Sequence, residues 1–61
     1  MNIDQRINIT LKSTKASLEL IEIEKDNLEI VKDLSDVISH NSKVLLALYK
    51  VRRYIVTREK V

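Results

Sequence analysis

The chain has 61 residues with no glycine, proline or cysteine; it is 44% apolar and 33% charged, with a formal net charge of +2. At this length it is a single domain, residues 1–61, that buries only about 60% of its unfolded surface, so a lone monomeric core is marginal. The composition excludes disulfide staples, zinc sites of the common structural kinds, glycine-turn β folds, phosphate-cradling glycine loops and cysteine nucleophiles.

Residues 1–12 form a basic arm that reads in two ways. Arg6 to Lys12 alternate polar and apolar, with Arg6, Asn8, Thr10 and Lys12 on one side and Ile7, Ile9 and Leu11 on the other. Period two with β-branched residues is a strand signal, and Ser13 or Thr14 then serves as a helix N-cap. In this basic strand, cap and helix, about seven residues long, the chain resembles the start of ribbon-helix-helix DNA-binding proteins. The resemblance implies a dimer whose paired strands lie in the major groove, with Arg6, Asn8, Thr10 and Lys12 as the DNA-contacting positions. The family's usual glycine after the first helix is missing. A break near Asp26–Asn27 would restore the match, giving helices over 14–25 and 28–39 and an extra C-terminal helix. The competing reading makes residues 3–12 helical: Ile3, Ile7 and Leu11 recur every four residues, and Asn2 with Gln5 forms a capping-box pattern.

From residue 13 onward the signal is helical. Ala16, Leu20, Ile23, Asn27, Ile30, Leu34, Val37, Asn41, Val44, Leu48, Val51 and Ile55 alternate spacings of four and three without a slip. That is a heptad seam, and with leucine at a and isoleucine or valine at d it favours more than two helices per bundle. A flanking stripe, Ile21, Leu28, Val31, Ile38, Leu45 and Tyr49, widens the apolar face beyond that of an ordinary surface helix. Leu20, Ile23, Asn27, Ile30, Leu34, Val37, Val44, Leu48, Val51 and Ile55 are therefore the expected oligomer interface. Asn27 is either a buried polar device that fixes register or a tolerated residue near a helix end.

The cluster Ser39 to Ser42 supplies turn and capping residues. It predicts a hairpin of an acidic helix over 13–39 and a basic helix over 42–59. One continuous helix remains open, because the heptad phase passes through Ser39–Ser42 unbroken. The expected fold is thus all-α, a helical hairpin assembling into a homo-oligomeric bundle. The alternative is the ribbon-helix-helix dimer.

Charge is segregated: residues 1–18 sum to +2, residues 19–36 to −5 and residues 37–61 to +5. Opposed strips of this kind suit antiparallel helices, within a chain or between chains. The basic end suggests a second use, with Lys43, Lys50, Arg53 and Lys60 meeting nucleic-acid phosphate or anionic lipid. Chemistry-bearing residues are sparse. His40 has Asp36 four residues before it, which is two ligands without a third; the serines lack a base and read as caps. No catalytic, cofactor or metal site is expected. The sequence predicts a non-enzymatic helical interaction module, a regulator, inhibitor or assembly factor. Its partners are itself, as dimer or tetramer, and another protein, with nucleic acid a further partner and membrane disfavoured. With no secretion leader and no apolar run of spanning length, the expected location is the cytoplasm of a microbe or of a virus-infected host cell. The Ile/Lys/Asn-rich vocabulary suggests an accessory protein of viral or plasmid origin.

Overall fold

A computed structural model describes residues 2–59, which form two helices and no strand: α1, Ile3–Ile23, and α2, Leu28–Glu59. They pack as a helical hairpin, and the whole is a rod 52 Å long and 15 Å across.

The start of α1 is set by reciprocal side-chain bonds. The Asn2 Oδ1 accepts from the Gln5 backbone N–H at 2.8 Å, and the Gln5 Oε1 accepts from the Asn2 N–H at 3.1 Å. This capping box satisfies donors that the first turn leaves free. Asp4 follows in that turn, where a negative charge opposes the helix dipole favourably. The strand alternative for residues 6–12 is corrected, and with it the ribbon-helix-helix fold. Once the cap launches a helix, the apparent alternation no longer defines two sides. Ile7 is buried, whereas Ile9 and Leu11 lie exposed elsewhere on the cylinder.

The chain reverses at Glu24–Asn27, not at Ser39–Ser42. The Glu24 N–H still donates to Leu20 O, the Asn27 N–H donates to Glu24 O, and the Val31 N–H donates to Asn27 O. The Asn27 Oδ1 accepts from the Ile30 N–H at 3.2 Å, which makes Asn27 the N-cap of α2. No residue here needs positive φ, so the turn closes without glycine. The reversal also falls between Glu22 and Asp26, like charges that an uninterrupted helix would stack one turn apart.

The expected helices over 13–39 and 42–59 are therefore replaced by one short and one long arm. Ser39 to Ser42 lie inside α2, as the unbroken heptad phase allowed. The Ser42 hydroxyl bonds back to Ile38 O at 2.9 Å, and Asn41 turns toward α1, so neither is spent on a turn. At ~1.5 Å per residue the arms are about 31 and 48 Å long.

Removing the α2 cap tests the turn. Asn27→Ala is expected to lower stability by about 1 kcal/mol in urea denaturation at fixed protein concentration, whereas Ser39→Ala changes it by less than about 0.5.

Candidate functional site

The inward line of α1 is Ile3, Ile7, Thr10, Thr14, Ser17 and Ile21, all buried or half-buried at spacings of three and four. Most of the middle of that line is polar. Each hydroxyl is accommodated within its own helix: Thr10 donates to Arg6 O, Thr14 to Thr10 O and Ser17 to Ser13 O, at 2.9–3.0 Å. Ile7, 5% exposed, is the one buried apolar side chain among the described residues.

Across the seam, Asn41 is 9% exposed and its Nδ2 donates to Ser13 Oγ at 3.2 Å. No buried side-chain polar atom among the described residues lacks a partner. Leu34 and Leu48 stand seven residues either side of Asn41, so they share its face and are half-buried against α1. The buried polar position considered for Asn27 thus falls at Asn41, and Asn27 stands at a helix end. At the open end, Arg52 Nε lies 3.1 Å from Asp4 Oδ1, an exposed ion pair of small energetic weight.

The expected interface residues separate into three groups. Leu34, Val44 and Leu48 are half-buried in the hairpin, and Asn27 caps α2. Leu20, Ile23, Ile30, Val37, Val51 and Ile55 remain exposed, Ile23 at 73%. In heptad terms, Leu34, Asn41 and Leu48 at a positions of α2 meet α1, whereas Ile30, Val37 and Val51 at d positions are exposed. Ile30, Val37, Val44 and Val51 recur every seven residues and form one line along α2. On α1, Ile9, Ala16, Leu20 and Ile23 form a comparable exposed line. The flanking stripe is also only partly covered: Leu28 is 80% exposed and Tyr49 is exposed as well.

Arg52 reaches the first turn of α1, so residues 53–59 run past α1 by about 10 Å. Tyr54, Ile55 and Val56 are exposed on this overhang. The Arg58 guanidinium lies 5.5 Å from the centre of the Tyr54 ring, and its Nη1 donates to the Tyr54 hydroxyl at 2.8 Å. A shallow depression beside it is lined by Tyr49, Arg52, Arg53, Val56 and Thr57.

Among the other predicted residues, Arg6, Asn8 and Lys12 are exposed and Thr10 is half-buried. On a helix they fan around the axis and do not form one reading edge. Lys43, Lys50 and Arg53 are exposed at spacings of seven and three on α2, and Lys60 lies outside the described residues. His40 is exposed, and no metal-holding group of three His, Cys, Asp or Glu occurs among the described residues. Among the described residues, no helix is long and apolar enough to cross a membrane.

The sequence reading missed the Ser13–Asn41 bond and the inward line of α1 that runs beside it. A signal was present in Ile3, Ile7, Thr10, Thr14, Ser17 and Ile21, whose spacing is helical although half of them are polar. No family model matches the chain, and no curated protein or solved structure shows significant similarity to it.

A double-mutant cycle of Ser13→Ala and Asn41→Ala is expected to show a coupling of about 1 kcal/mol in denaturant unfolding. Additive single effects would mean that the bond does not contribute to the register.

Proposed function

We propose that the chain is a small non-enzymatic helical interaction module that works as a homo-oligomer, in the manner of a regulator, inhibitor or assembly factor for another protein. The observation that carries this reading is uncovered surface. A compact monomer of 7.1 kDa exposes roughly 4,100 Å². This hairpin exposes 5189 Å², with Ile7 its one buried apolar side chain among the described residues. The excess, about 1,100 Å², exceeds the roughly 800 Å² that each partner contributes to a standard interface. Exposed apolar side chains stand along Ile30, Val37 and Val51 of α2 and along Ile9, Leu20 and Ile23 of α1. So many on so small a chain point to a protein partner.

Sedimentation at micromolar concentration tests it. A dimer or larger species is expected, Val37→Asp is expected to shift it to monomer, and Ser39→Asp, away from the apolar line, is expected to leave it unchanged. A folded monomer for the unsubstituted chain refutes the reading.

A second reading draws on the overhang, where Arg53 and Arg58 stand exposed beyond the end of α1. Here the tail of α2 meets phosphate, on nucleic acid or on anionic lipid. It predicts binding to anionic vesicles or nucleic acid at about 50 mM salt that is weakened severalfold by Arg53→Ala and lost at high salt. No binding at low salt removes it.

A further inference from the structure

We infer that the exposed apolar line of this hairpin is covered by a second copy lying antiparallel, the turn of one copy against the open end of the other; this rests on the homo-oligomer proposed above and specifies its arrangement. The first argument is charge. Folding gathers the −5 segment, residues 19–36, around the turn, and the +2 and +5 segments at and toward the open end. The hairpin is therefore bipolar along its 52 Å length. Two copies side by side in the same direction would set acid on acid and base on base at both ends. Reversing one copy sets Glu22, Glu29 and Asp33 near Lys50, Arg53 and Arg58 of the other. These ends are farther apart within one chain than the ~8 Å screening length at physiological salt, so the hairpin cannot neutralise itself.

The second argument is the unequal arms. Past Arg52, α2 has no α1 beside it, and Ile55 and Val56 are exposed there. At the opposite end, Leu20, Ile23 and Leu28 are exposed around the turn. An antiparallel copy brings these two bare apolar ends together, with the two-fold axis near Val44 at the middle of α2. A copy aligned in parallel leaves both overhangs next to each other and both still without α1.

The absence of cysteine allows spin labels at single introduced sites. Leu28→Cys lies at the turn and Thr57→Cys near the end of α2, about 44 Å apart along the helix. Labels on Leu28→Cys alone are expected at least about 40 Å apart between copies. An equimolar mixture of Leu28→Cys and Thr57→Cys is expected to add a distance below about 25 Å. Sedimentation of the labelled proteins separates the two ways of failing. A monomer overturns the homo-oligomer itself. An oligomer whose Leu28→Cys labels lie only below about 25 Å, with no short distance in the mixture, overturns the antiparallel arrangement and leaves the oligomer standing.

Discussion

The position of the chain reversal governs the rest of this molecule. Because Asn27 caps α2 and the turn closes over Glu24–Asn27, α1 can reach only as far along α2 as Arg52. That one placement decides which stripe of the long helix is covered, which is left bare, and how far the tail projects. It also collects the acidic middle of the sequence at one end of a rod. A reversal at Ser39–Ser42 would have set acidic helix against basic helix within the chain. The actual reversal leaves that complementarity to be met from outside.

Packing within the hairpin is correspondingly modest. Small polar residues face α2 through the middle of α1, and their hydroxyls are satisfied by carbonyls of their own helix. This avoids unpaired buried groups, which would be costly, but it contributes little apolar burial. A seam with one buried isoleucine, its other apolar residues only half-buried, is weak support for so many ordered residues, since fixing each costs on the order of 1–2 kcal/mol. The larger apolar residues, Val37, Val51 and Leu20 among them, stand on the surface where a second body would bury them. Within the hairpin, polar side chains hold the middle of the α1 face while many large apolar ones stand outside. Association would restore the usual order.

Helical class and periodicity were legible because they depend on local spacing. The capping box at Asn2 and Gln5 and the unbroken phase through Ser39–Ser42 both survive in the structure. What was not legible was the choice among competing local signals. Ser39 to Ser42 have better turn chemistry by composition than Glu24 to Asn27. They are held in helix by the Ser42 hydroxyl bond to Ile38 O and by Asn41 pairing with Ser13, a contact 28 residues distant that no local pattern announces. Asn27 and Asn41 occupy equivalent heptad positions, yet one caps a helix and the other bridges two. The apolar seam was found, but which part of it the hairpin would cover depended on the turn. The alternation from Arg6 to Lys12 misled because three isoleucine and leucine residues two apart look like a strand edge until the cap upstream commits them to a helix.

The Ser13–Asn41 bond has a further consequence for motion. Between that bond and the Arg52–Asp4 pair, no other side-chain hydrogen bond among the described residues crosses from one helix to the other, and the ion pair is exposed to solvent. The hairpin is thus hinged at the turn, pinned at mid-length and only lightly latched at its mouth. On the mouth side of the pin the hairpin is held by burial instead, since Ile7, its one buried apolar side chain among the described residues, sits in the second turn of α1. That same end carries the positive charge of the sequence.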